Sequence, residues 1–127
     1  MTVSRHNPPT MMKPFGSYCQ STRRGNIVAT AGVAAIDKDG KIVGVGDIEA
    51  QTRATLDNLK AALEASGATI ADVLKVTCFI TDFAHYKGFN KAFDEYFADH
   101  PPARATVRAD LVLKELLIEI DAIAVVA

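Results

Sequence analysis

The sequence predicts a single α+β domain in which one β-sheet is covered on one face by two helices. Three observations predict this fold: a length of 127 residues, two segments with apolar residues at helical spacing, and several segments with apolar residues at a period of two. A chain of this length forms one ordinary domain with a packed core. We therefore assign residues 1–127 to one domain and residues 1–16, which are rich in Pro and polar residues, to an irregular N-terminal arm.

The first regular elements are predicted to be two short strands. The apolar run at residues 27–31 ends at Gly32, which is typical of a short buried strand. Residues 37–40 have the composition of a turn, and they lead into a second short run at residues 41–43. We expect the two runs to form a hairpin.

Two later segments have the spacing of amphipathic helices. Residues 49–66 contain no Pro or Gly, and leucines recur on one side while charged residues line the other. In residues 87–98, phenylalanines recur at steps of four, and the following Pro101-Pro102 pair ends the helix because Pro breaks the hydrogen-bond ladder. The apolar stripes are Leu56, Leu59 and Leu63 in the first helix, and Phe89, Phe93 and Phe97 in the second.

Between the helices, residues 74–81 have the alternation of a strand. Apolar side chains at every second position predict that four residues share one sheet face, namely Leu74, Val76, Cys78 and Ile80.

Two final strands, residues 103–111 and 116–126, complete the order β-β-α-β-α-β-β. Two short helices can cover only one face of such a sheet. Phe79 and the rows of threonine on the other face indicate that this face is not simply open to water. Self-association is the simplest way to cover it.

Composition argues against several classes of function. The chain has 14 Lys and Arg residues against 15 Asp and Glu residues, with no basic block, so nucleic acid is not an expected partner. No window approaches the roughly 18 apolar residues that span a bilayer, and residues 1–16 contain no apolar signal segment. We expect a cytoplasmic protein without membrane contact, with Cys19 and Cys78 as reduced thiols and no zinc site.

Two charged residues in the C-terminal strands are candidates for chemistry. Arg104 directly follows a proline pair and a single alanine, and Glu119 lies within the apolar run 117–125. Burying an unpaired charge costs several kcal/mol, so we expect Glu119 to have a partner, with Arg104 as the candidate. Asp121 shares a strand face with Glu119 at a period of two.

Five short motifs of this chain resemble those of the RidA/YjgF imine deaminases. Residues 15–20 (FGSYCQ) are similar to the family's GPYSQ, residues 30–32 (TAG) to its SG turn, and residues 50–59 (AQTRATLDNL) to a further family segment. Residues 102–104 (PAR) and 118–124 (IEIDAIA) complete the family's C-terminal signature. The resemblance covers nearly the whole chain, and the last two motifs in this order and spacing are specific.

The resemblance implies a chorismate-mutase-like α+β fold with a mixed sheet, a homotrimer, and active sites in clefts between subunits. It also implies hydrolysis of reactive 2-imino acids and enamines, such as 2-iminopropanoate and 2-iminobutanoate, to 2-keto acids and ammonia, with no cofactor or metal. By position, Arg104 is expected to bind the substrate carboxylate and Glu119 to position or activate the attacking water. Further substrate contacts are expected from Gly32, Tyr18, Thr106 and Asn90.

Elementary chemistry agrees with these roles. A planar guanidinium binds a carboxylate through two parallel charge-assisted hydrogen bonds and so orients the adjacent imine carbon. An imine is already electrophilic, so a positioned water and one carboxylate that accepts its proton are sufficient. At Gly32 the missing Cβ allows close approach of the backbone to a ligand.

Two positions depart from the family pattern. Thr106 stands where the imine deaminases commonly carry Cys, and Ala31 stands where many carry Ser. These departures leave the substrate open. The alternatives are a 2-aminomuconate-type deaminase of a catabolic pathway, and a metabolite-binding or holdase trimer without catalytic activity.

Overall fold

A single mixed sheet of seven strands organises the chain. The structure, a computed structural model, describes residues 1–127. Two helices, α1 (Ile48–Ala65) and α2 (Tyr86–Phe97), cover one face of the sheet. The strands are β1 (Ser4–His6), β2 (Ser21–Arg24), β3 (Ile27–Thr30), β4 (Val33–Ala34), β5 (Val73–Ile80), β6 (Ala103–Arg108) and β7 (Ile118–Val125).

The strand order places β7 inside the sheet and β6 at one edge. The order is β1-β2-β3-β7-β5-β6, and β4 also pairs with β7. β5 and β6 are parallel and are connected through α2, whereas the other neighbours are antiparallel. This arrangement confirms the predicted mixed sheet with two helices on one face.

Both predicted helices are present, with boundaries that follow from local chemistry. The Asp47 side chain caps α1 by accepting a hydrogen bond from the Ala50 amide at 3.1 Å. The chain leaves α1 through Gly67, whose φ of 82° favours glycine. The predicted leucine and phenylalanine stripes are buried against the sheet. No helix of the structure has both the length and the apolar character that crossing a membrane requires.

The predicted hairpin is wrong in its second strand. β3 pairs instead with β2, through a turn in which Gly25 has a φ of 58°. Residues 41–43 form no strand and make one isolated bridge, between Ile36 and Ile42. The reason is the Asp37 side chain, which accepts hydrogen bonds from the amides of Asp39 and Lys41 and folds this segment into a tight local turn.

Two further differences concern the arm and β5. Within the arm, Ser4–His6 forms β1 and pairs with β2, so residues 1–16 are not irregular throughout. Leu74 is 57% exposed and does not share the inner face, because the register shifts between Val73 and Lys75 and Val73 is buried instead.

Candidate active site

β7 holds Glu119 on the sheet face that the helices leave open. Ile118, Ile120 and Ala122 are buried under the helices, and the residues between them alternate to the opposite face. Glu119 and Asp121 therefore share the open face, as the sequence predicts. Glu119 lies opposite Phe79 of β5 on one side of β7.

The carboxyl group of Glu119 is packed against Gly32. A Cβ at Gly32 would lie 2.5 Å from Oε2 of Glu119 and 2.9 Å from its carboxyl carbon. The space created by this glycine is therefore occupied by the Glu119 carboxyl group. Burial raises the pKa of Glu119, and the negative charge of Asp121 raises it further. Glu119 is thus a carboxyl group that binds a proton more readily than an exposed glutamate.

A concave cavity of about 400 Å³ opens beside Glu119 and Gly32. Its lining contains Tyr18, and its remaining walls come mainly from apolar side chains of the arm and of the loop between β6 and β7. The Tyr18 hydroxyl accepts a hydrogen bond from the Phe15 amide at 3.2 Å, which fixes this part of the arm. The apolar wall residues are Met12, Phe15, Ala31, Ala34, Ile36, Val112, Leu113 and Leu116.

Arg104 projects from the edge strand β6 toward α2. It lies opposite Val76 of β5, whose side chain is fully buried on the helix-covered face. Its guanidinium carbon lies 4.8 Å from the ring centre of Phe93, 5.2 Å from that of Phe89 and 5.8 Å from that of Tyr86. Nη2 also donates a hydrogen bond to the Tyr86 hydroxyl at 2.9 Å. The aromatic residues of α2 thus hold the guanidinium group in place.

The groove around Arg104 contains one other expected site residue. Asn90 of α2 lines this groove together with Pro101 and Pro102. Thr106 follows Arg104 on the same side of β6, opposite the buried Cys78, and lines neither this groove nor the Glu119 cavity. The structure therefore brings Arg104 together with Asn90, and separately brings Glu119 together with Gly32 and Tyr18.

The expected ion pair between Arg104 and Glu119 is wrong within one chain. Arg104 shares its face with Val76, whereas Glu119 shares the opposite face with Phe79, and β5 separates their strands. The polar side-chain partner of Arg104 is the Tyr86 hydroxyl. The sequence identifies both charged residues, but it does not indicate that β6 and β7 place them on opposite faces of the sheet.

Sequence reasoning also missed Tyr86 and most of the cavity wall. Tyr86, Phe89 and Phe93 share one side of α2, so their spacing carries the signal, but the sequence pattern identifies the phenylalanines only as an apolar stripe. Val112 lies in a loop, where no periodicity identifies a wall residue.

The cysteines add no nucleophile to either half of the site. Both are free, and Cys78 is fully buried. Burial raises the pKa of the Cys78 thiol to about 12, so it is protonated at neutral pH. No three His, Cys, Asp or Glu side chains are grouped as metal ligands.

Comparison with known proteins identifies the family. The model of the endoribonuclease L-PSP family matches residues 9–126. A RutC family protein of Pyrococcus horikoshii is 45% identical over 113 residues, which cover 88% of this chain and 89% of that protein. The chain therefore belongs to the RidA/YjgF family, which is also described as endoribonuclease L-PSP.

Two solved structures support the same assignment. The YjgF gene product of E. coli matches with a TM-score of 0.88 and 31% identity, covering 98% of this chain and 99% of that one. E. coli TdcF with bound serine matches with a TM-score of 0.89 and 30% identity, again covering 98% and 99%. The predicted RidA-like fold is confirmed.

Proposed function

We propose that this protein is an imine deaminase that hydrolyses 2-imino acids to 2-keto acids and ammonia. The observation that carries the proposal is the division of the two expected catalytic groups between opposite faces of one sheet. Each group lies in its own concavity, together with other residues that the family resemblance implies: Gly32 and Tyr18 beside Glu119, and Asn90 beside Arg104. A site with both halves needs Arg104 from one protomer and Glu119 from a neighbour.

The open sheet face supports association of copies. Ile27, Val107, Ile123 and Val125 are exposed on it, although they are large apolar residues of regular strands. Covering such a patch with another copy removes apolar surface from water, at about 25 cal/mol per Å². We propose a homotrimer, whose cyclic symmetry repeats the same contact three times and creates three equivalent sites.

The chemistry of the combined site is a hydrolysis without cofactor. Arg104 binds the substrate carboxylate, since one of its N–H groups is bonded to Tyr86 and the others remain as donors. Glu119 accepts a proton from water as the water oxygen attacks the imine carbon. With a protonated imine this addition gives a neutral carbinolamine, and Glu119 returns the proton to its nitrogen. The C–N bond then breaks, ammonia leaves with the electron pair, and Glu119 takes the hydroxyl proton, which forms the carbonyl group of the 2-keto acid. Glu119 gives this proton to ammonia, which leaves as ammonium. A raised pKa suits a group that both accepts and donates this proton.

TdcF with bound serine is consistent with a small amino-acid-like ligand in this family. A 2-aminomuconate-type deaminase is less well supported, because its substrate carries a second carboxylate. The cavity beside Glu119 has no Lys or Arg in its lining that could bind one.

The test is the decay of 2-iminopropanoate and 2-iminobutanoate, generated in place by an amino-acid oxidase and followed by trapping with semicarbazide. We expect purified protein to accelerate formation of the 2-keto acid and Arg104→Ala to lose most of that acceleration. Arg5→Ala is the matched control, because Arg5 is exposed on β1 at the opposite edge of the sheet. Binding of a 2-keto acid without any acceleration contradicts the proposal and favours a metabolite-binding trimer.

A further inference from the structure

The cavity beside Glu119 has a composition that bears on the substrate side chain. Apart from the Glu119 carboxyl group and the Tyr18 hydroxyl, its side chains are apolar. Its volume of about 400 Å³ is within the range of small-molecule sites, which is roughly 300–1,000 Å³. It is much larger than the methyl group of 2-iminopropanoate needs.

Two of the wall residues of this cavity are apolar side chains exposed outside the helices and strands. Val112 is 87% exposed and Phe15 is 63% exposed, and they reach the same cavity from parts of the chain about a hundred residues apart. Neither contributes to the buried core clusters. Two exposed apolar residues that converge on a carboxyl group with a raised pKa indicate a ligand surface.

The charge of the cavity excludes acidic side chains. Glu119 is the one ionisable carboxyl group in its lining, and no Lys or Arg lines it. A substrate side chain with a second carboxylate would lose its hydration there and meet a carboxyl group, without a cation in compensation. An aliphatic or aromatic side chain would instead cover the exposed apolar walls.

We propose that the preferred substrates are 2-imino acids with a branched aliphatic or aromatic side chain, which is seated against Phe15, Tyr18 and Val112. This inference rests on the proposed function. In the combined site, Arg104 of one protomer holds the carboxylate, the imine carbon lies beside Glu119 of the neighbour, and the side chain extends into the neighbour's cavity. The groove at Arg104 does not distinguish these substrates, because it binds the carboxylate that all 2-imino acids share.

The first experiment compares kcat/KM for the imines derived from alanine, leucine, phenylalanine and glutamate. We expect kcat/KM for the leucine and phenylalanine imines to exceed kcat/KM for the alanine imine by about tenfold or more. A hydrophobic pocket gives a difference of this size when the substrate side chain is larger by one or more carbon atoms. The glutamate imine is expected to be the poorest. If the alanine imine reacts as fast as the leucine imine, the preference is wrong while the deaminase activity stands.

Ligand binding separates the two proposals if no imine is hydrolysed. Titration calorimetry with pyruvate and with 4-methyl-2-oxopentanoate measures the same preference without turnover. About tenfold tighter binding of the larger acid, without hydrolysis, contradicts the deaminase activity. It supports the apolar seat, which is the surface formed by Phe15, Tyr18 and Val112. Equal binding without hydrolysis contradicts both.

A variant of the cavity wall tests the seat itself. Val112→Asp places a charge at the rim, and we expect it to reduce kcat/KM for the leucine imine about tenfold or more while the alanine imine changes less than about threefold. Val45→Asp is the matched control, because Val45 is also exposed but lies in a turn outside the cavity. The oligomeric state of each variant is measured by light scattering. Equal losses for both imines, or dissociation of Val112→Asp alone, would mean that a neighbouring copy fills the cavity and would overturn the seat.

Discussion

The two faces of the sheet are built from the same strands, but the helices bury one face and leave the other exposed. On one face, Val76, Cys78 and Ile80 of β5 are fully buried by the two helices. On the other face, Ile27 is 59% exposed and Ile123 is 47% exposed, although both belong to regular strands. The protomer therefore covers one face by itself and leaves apolar residues exposed on the other, which the proposed homotrimer would cover.

The candidate catalytic groups follow the same division. Arg104 is held on the completed side by aromatic residues of its own chain, so its position does not depend on a neighbour. Glu119 is half-buried on the open side, where its pKa is already raised before any partner is added. In the proposed site, the carboxylate anchor Arg104 is therefore held by its own chain, whereas the reactive half at Glu119 would be completed by assembly.

The largest effect is expected from removal of the anchor. Arg104→Ala should lower kcat/KM by roughly ten- to a hundred-and-fiftyfold, because a charge-assisted contact contributes about 1.5–3 kcal/mol. Arg104→Lys should recover only part of this loss, since an ammonium group lacks the planar pair of donors. Steady-state kinetics with a 2-imino acid measure both variants. Full activity of Arg104→Ala would exclude a carboxylate anchor at this position.

The next largest effect is expected when the Glu119 carboxyl group is displaced. In Gly32→Ala the new Cβ would fall 2.5 Å from Oε2 of Glu119, so the carboxyl group must move away. We expect kcat to fall about tenfold through misplacement of the base. Because Gly32 does not have a positive φ, the melting temperature should change little. Gly16→Ala is the control, since nothing lies within 4 Å of the added Cβ.

Asp121 gives a test through pH. Its negative charge contributes to the raised pKa of Glu119, so Asp121→Asn should lower that pKa toward its ordinary value. The base form of Glu119 would then persist to lower pH, and the acidic limb of the kcat/KM profile should move to lower pH. Asp99→Asn, in the exposed segment after α2, should leave the limb unchanged. A limb that moves to higher pH contradicts the assignment of Glu119 as base.

The smallest effect is expected when the hydrogen bond from Arg104 to the Tyr86 hydroxyl is removed. Tyr86→Phe keeps the ring near Arg104 and removes the hydroxyl that accepts its hydrogen bond. A single hydrogen bond of about 0.5–1.5 kcal/mol predicts a rise in KM of roughly two- to tenfold with little change in kcat. A fall in kcat with unchanged KM would show instead that Tyr86 acts on the chemical step.

The regular parts of the fold were predictable because their periodicity is strong. The leucines of α1 and the alternation of β7 each indicate one buried face, and both are observed. Leu74 does not lie on the predicted buried face, because a bulge in β5 reverses the alternation of side chains. No residue pattern in this segment indicates the bulge. The segment at 41–43 does not pair with β3, because it folds back on residues 35–37, where the Val43 amide donates to the Ala35 carbonyl and the Asp37 amide to the Lys41 carbonyl.

The site was predictable in its residues but not in its geometry. The family resemblance implied Arg104 and Glu119, while their placement on opposite faces depends on the register of β5 with β6 and with β7. Register arises from pairing between residues far apart in the chain, which local residue patterns do not reveal. The contribution of Tyr86 depends in the same way on how α2 packs beside β6.

The central claim is that each site combines Arg104 of one protomer with Glu119 of its neighbour. The most direct measurement is activity of mixed oligomers made by co-expressing Arg104→Ala with Glu119→Gln, each of which we expect to retain at most about a tenth of wild-type activity alone. Random mixing in a cyclic trimer restores one intact pair at roughly a quarter of the sites, so activity should return to about that fraction of wild type. Mixed oligomers no more active than the two variants alone would contradict a shared site.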